Sequence, residues 1–128
     1  MRDLGSSTRV RKIAVELIVP GQQGDPRLPD EARFSYQEWW RTTALGWVRV
    51  RYAYDFFDLV HSGRRGYHLH PIGGRAAVPH AHCVPPGGAG EERHYDAYEV
   101  DLLEAHEAFE VQYASGRPID CHGLRGLD

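Results

Sequence analysis

Trp47-Val48-Arg49-Val50-Arg51-Tyr52-Ala53-Tyr54-Asp55-Phe56, answered a few residues later by Gly66-Tyr67-His68-Leu69-His70, is the stretch that decides the fold. Trp47 to Val60 reads as a strand, because residue character alternates with the period of two that a pleated backbone imposes. Val48, Val50, Tyr52, Tyr54 and Phe56 fall on one face, and Trp47, Arg49, Arg51, Ala53 and Asp55 on the other. Ser62-Gly63-Arg64-Arg65 turns the chain, and Gly66 to His70 returns as an antiparallel strand. Tyr67 and Leu69 take the core face, which sends His68 and His70 to the opposite one. Simple pairing then places this His pair on one surface with some of Arg49, Arg51 and Asp55, and a bulge or one-residue slip would reverse that arrangement.

Working outward, Val10 to Val19 alternates Ile13, Val15, Leu17 and Val19 with polar Lys12 and Glu16, and reads as another strand. Ser35-Tyr36-Gln37-Glu38 spells a capping box with Phe34 and Trp39 at the staple positions. It predicts a short helix over Tyr36 to Leu45, closed by Gly46, with Trp39 and Trp40 docking it on the sheet or, alternatively, offering a stacking platform for bases. Val78 to Val84 predicts a further short strand. Pro71 to Pro79 and Pro85 to Gly90 read as loops. Asp96-Ala97-Tyr98-Glu99 repeats the capping-box spelling and predicts a helix that runs to Ser115 and stops at Gly116, with Tyr98, Leu102, Ala105, Phe109 and Tyr113 as its apolar stripe. The expected fold class is α+β: a small antiparallel sheet with a short helix and a C-terminal helix packed on one face, in one domain over residues 1–128.

A chain of 128 residues can bury one core without metals or disulfides. Its two cysteines, Cys83 and Cys121, are too few for a secreted disulfide framework. No apolar stretch is long enough to span a membrane, and Met1 to Gly5 lacks a signal-peptide pattern, so a cytoplasmic protein with no membrane partner is expected. Charge is uneven: Met1 to Arg75 carries 12 Arg or Lys against 8 acids, and Ala76 to Asp128 carries 3 against 10. A basic face for nucleic acid and an acidic face for a protein partner would follow from such a division.

His68, His70, His80 and His82 are the one cluster in the sequence able to organise chemistry. Three readings of it are open. In a metal-free acid–base site, one imidazole deprotonates a 2′-hydroxyl and another protonates the leaving oxygen, while Arg49 or Arg51 holds the phosphate. This is an endoribonuclease with no cofactor. In a zinc site, His80, His82 and Cys83 are ligands with the first His pair, and Cys121 and His122 could reach in from the tail. In the third, the histidines form a hydrated rim on a protein-interaction module that catalyses nothing. Cys83 as a nucleophile is weaker, since adjacency to His82 does not orient the imidazole toward the thiol. Asp58 could orient a neighbouring histidine, and His106 is expected on the surface of the last helix or partly packed.

The order Tyr52-Ala53-Tyr54, His68-Leu69-His70-Pro71 and Pro79-His80-Ala81-His82, followed by a terminal helix, resembles the TumE-like small toxins of bacterial toxin–antitoxin pairs. The likeness spans about Gly46 to Leu103. The Pro85 to Gly90 insertion, the segment Phe34 to Leu45 and the tail Asp120-Cys121-His122 depart from it. The resemblance implies a cytosolic toxin that acts on RNA or translation and is neutralised by an antitoxin partner.

Overall fold

The capping-box spelling at Ser35 lies inside a strand. The computed structural model describes residues 9–21, 27–71, 77–88, 90–94 and 99–121. Its strands are β1 (Val10–Val19), β2 (Ala32–Thr43), β3 (Gly46–Asp58), β4 (Gly63–Pro71), β5 (Ala77–Val84) and β6 (Glu92–His94), followed by the helix α1 (Leu102–Ser115). The six strands form one antiparallel sheet in the order β1-β2-β3-β4-β5-β6, every strand pairing with its neighbours in sequence. The antiparallel sheet and C-terminal helix are as expected.

The short helix expected over Tyr36 to Leu45 is instead most of β2. Ala32, Phe34 and Tyr36 are buried in strict alternation with half-exposed Arg33, Ser35 and Gln37. Aromatic and β-branched side chains favour that pleated surface, and β1 and β3 satisfy the backbone on both edges. A capping box, worth about 1 kcal/mol, cannot compete with a full ladder. Gly46 is needed for a hairpin rather than a helix end: at φ 118° it pairs with Thr43 across Ala44-Leu45. Thr43 Oγ1 locks the turn by accepting from Leu45 N at 3.1 Å and donating to Gly46 O at 2.8 Å.

The last helix begins later than its sequence suggests. Asp101 is the N-cap, accepting from Glu104 N, while the Glu104 side chain accepts from Asp101 N. Asp96 to Tyr98, the expected start, lie outside the described residues. The stop at Gly116 is as expected, with the glycine in the left-handed region at φ 66°. Ala105 and Phe109 are the buried part of the stripe, and Leu102 and Tyr113 lie at its exposed margins.

Phe109 stacks against Phe56 and Tyr67, with ring centroids 6.0 and 5.8 Å away. Around it, Phe34, Tyr36, Tyr52, Tyr54, Leu69 and Ala81 complete the core between α1 and one face of the sheet. Tyr36 Oη and His106 Nδ1 share a hydrogen bond of 2.6 Å, so His106 is partly packed against this core. Cys83 and Cys121 form a disulfide that ties the segment after α1 to β5. This corrects the zinc reading for both cysteines and the nucleophile reading for Cys83, since neither is a free thiol, and Cys83 lies on the face opposite His82. Among the described residues, no helix is long and apolar enough to cross a membrane.

Candidate functional site: a four-histidine cluster

On β4, Tyr67 and Leu69 enter the core, so His68 and His70 emerge on the face away from α1. On β5, Ala81 and Cys83 enter the core, so His80 and His82 do the same. The β4–β5 register sets His68 directly across from His80 and Gly66 across from His82. The two His-x-His pairs therefore interdigitate. Ring centroids are 4.2 Å apart for His68 and His82, 4.6 Å for His70 and His80, and 4.7 Å for His80 and His82. One ring nitrogen from each of the four lies within 4.8 Å of the others. His80 and His82 are buried, at 2 % and 5 % exposure.

Each ring also has one nitrogen against an acceptor. His68 Nε2 lies 3.0 Å from both oxygens of Asp55. His70 Nδ1 lies 3.0 Å from Pro71 O, His80 Nδ1 2.9 Å from Val78 O, and His82 Nδ1 2.6 Å from Glu91 Oε2. Carbonyl and carboxylate oxygens accept only, so these nitrogens carry the proton. The lone pair of each neutral ring then sits on the other nitrogen: Nδ1 of His68 and Nε2 of His70, His80 and His82. His82 Nε2 is buried and makes no hydrogen bond within the described structure.

The electrostatics favour neutral rings at the buried pair. Burial lowers the His82 pKa to about 4, reinforced by His68 and opposed by Glu91. Burial also lowers that of His80, against the opposing pull of the Val78 carbonyl. Burial alone would raise the Asp55 pKa, but His68 and Arg64 outweigh it and keep the carboxyl below its ordinary range. Arg64 grips Asp55 through Nε at 3.0 Å and Nη2 at 2.9 Å. Gly66 makes this seat possible: a Cβ there would lie 2.1 Å from Asp55 Oδ1 and 3.0 Å from Tyr54 O.

The expected arginines do not join the cluster. Trp39 pairs with Arg51 and Trp40 with Arg49, so Val50 is left over as a bulge. The bulge turns Arg49 to the α1 side, where it donates to Tyr54 Oη at 2.8 Å and lies over the Tyr52 ring. There Tyr54 donates to Glu38, which also accepts from Trp40 Nε1. Arg51 stays on the histidine side but stacks on Trp39, its guanidinium carbon 4.4 Å from the ring centroid. Trp39 and Trp40 thus dock no helix. Asp58 does orient a histidine, but it is His61 at the hairpin end, 2.7 Å away. Of the polar residues around the cluster, Asp55 was legible from the alternation of β3. Arg64, read as part of a turn, and Glu91, beside a Gly-Pro loop, carry no comparable signature. His122 lies outside the described residues.

Compared with known proteins, the chain matches no family model, no curated protein and no solved structure.

Proposed function

We propose that the protein is a transition-metal protein, of zinc class, whose centre is the imidazole set His68, His70, His80 and His82. One observation carries this reading: one nitrogen from each of the four rings lies within 4.8 Å of the others, and every ring also has a nitrogen held against an acceptor. Metal-bound histidines are held in this way, the outer hydrogen bond fixing the tautomer and raising the basicity of the ligating nitrogen. Asp55, Glu91 and the carbonyls of Val78 and Pro71 supply that outer layer. Tetrahedral zinc holds its nitrogens about 2.0–2.1 Å away, so the four, now within 4.8 Å of one another, would draw together to hold it. Four protein ligands complete the tetrahedral shell. On this reading the metal staples β4 to β5 and presents no reactive water. Purified protein should hold one equivalent of metal by elemental analysis and lose it in His80→Ala/His82→Ala; a well-folded protein that takes up no added zinc sinks the reading.

A second reading, an RNA-directed toxin-like protein, is favoured by the rest of the same face. Trp39 lies between Lys12 and Arg51, and Phe57 between Arg33 and Arg64. Aromatic rings interleaved with cations suit stacked bases and a phosphate chain. Tyr52, Tyr54, Pro79, His80 and His82, which carry the toxin resemblance, fall on the strands that build this sheet. An antitoxin partner belongs to this reading too. Metal-free acid–base cleavage needs a protonated imidazole near neutrality, which burial opposes at His80 and His82. RNA cleavage that survives a chelator yet is abolished in His80→Ala/His82→Ala would restore that mechanism. RNA affinity that is unchanged in Trp39→Ala/Arg51→Ala would remove the RNA face.

A further inference from the structure

The two edges of the sheet are finished differently. β6 is a three-residue edge carrying Glu92 and Arg93, short and charged in the manner that discourages further pairing. β1 is a ten-residue edge, and among the described residues no strand pairs with its outer side. Val10, Ile13, Val15, Leu17 and Ile18 on it are each 46–57 % exposed. A long apolar edge of this kind is a template for another strand.

The backbone fixes which residues that strand would meet. Arg9 O accepts from Thr42 N at 3.0 Å, and Val19 O accepts from Glu31 N at 2.8 Å, so the peptide groups of the odd-numbered residues turn toward β2. Strand alternation then turns those of Val10, Lys12, Ala14, Glu16 and Ile18 to the open edge. A second β1 laid antiparallel about a two-fold axis at Ala14 pairs these outward residues with one another. Val10 faces Ile18, Lys12 faces Glu16, and Ala14 faces Ala14 of the other copy. Lys12 and Glu16 share the face away from α1, through their pairing with Trp39 and Ser35, so opposite charges meet twice across the axis. On the α1 side Ile13 meets Val15.

We infer that β1 is a homodimer interface, two copies joining edge to edge about Ala14 into one twelve-stranded sheet. Apolar residues, outward peptide groups and charges all agree in that single register. The contact is isologous, as a closed two-fold dimer requires.

Sedimentation equilibrium on the full chain across the micromolar range tests it. The wild type should be a dimer. Lys12→Glu and Glu16→Lys should each weaken dimerisation about tenfold or more, because each sets like charges opposite one another at both symmetric positions. The double variant Lys12→Glu/Glu16→Lys should return to within about threefold of wild type, since the swapped pair is again complementary. Ala14→Pro, which removes an outward N–H that β2 does not use, should be a monomer with wild-type circular dichroism. If that variant fails to fold, the charge variants decide. A monomeric wild type, single variants as dimeric as wild type, or a double variant as weak as the singles would each overturn the interface.

Discussion

The two faces of the β4–β5 hairpin bury side chains by opposite means. Toward α1, Tyr67, Leu69, Ala81 and Cys83 are covered by the helix, by aromatic rings and by the disulfide. Away from it, His80 and His82 are nearly as buried, yet each brings two nitrogens that must be satisfied. The first face is stabilised by excluding water. The second depends on where each proton is placed, and Asp55, Glu91 and two carbonyls place them. One strand pair, through its period of two, carries both.

The sharpest way to break this contrast is Phe109→Ala, which empties the centre of the aromatic face. It should cost about 3–5 kcal/mol in urea unfolding and leave metal stoichiometry intact in whatever fraction stays folded. A loss of metal in that folded fraction would show that the faces are coupled. Acid comes next. With the folded His82 pKa at about 4 and an unfolded value of about 6.5, only the unfolded chain takes up the proton between them. Stability of the metal-free protein should therefore fall as pH drops from about 6.5 to about 4, by up to about 3 kcal/mol, and His82→Gln should flatten that slope. An unchanged slope in the variant would assign the acid sensitivity to other groups.

Gly66→Ala asks whether the carboxylate seat is as tight as it looks. The added methyl must displace Asp55 or the strand, so a loss of about 1–3 kcal/mol and weaker metal binding are expected together. Smallest of all, Asp55→Asn should leave the fold in place and weaken metal binding about 10–100-fold, measured by competition with a chromophoric chelator. If it binds metal as tightly as wild type, the outer hydrogen bond to His68 is incidental.

Much of this contrast was written in the sequence. The alternation in β3 and β4 put Tyr67 and Leu69 inside and His68 and His70 outside, and it kept Asp55 on the histidine side. β2 departs from the helix its sequence predicts because Ser35-Tyr36-Gln37-Glu38 is a local helix spelling, overruled by pairing with strands distant in the chain. One extra residue, Val50, turns Arg49 away from the face its alternation predicts, since a bulge leaves no mark on the pattern around it. Cys83 and Cys121, 38 positions apart, are joined only by folding. Glu91 reaches His82 from a segment whose glycines and prolines give no period to read.

The meander has a consequence for how the molecule is made. All four imidazoles come from one hairpin, so the cluster assembles through short-range contacts, which form early when chain connectivity is local. Helix α1, synthesised after all six strands, is needed for the aromatic face but supplies no imidazole to the histidine one. A nascent chain that has emerged only through β5 already carries every imidazole of the cluster, and on the zinc reading a metal ion would trap the register of that hairpin before the C-terminal helix arrives to cover its back.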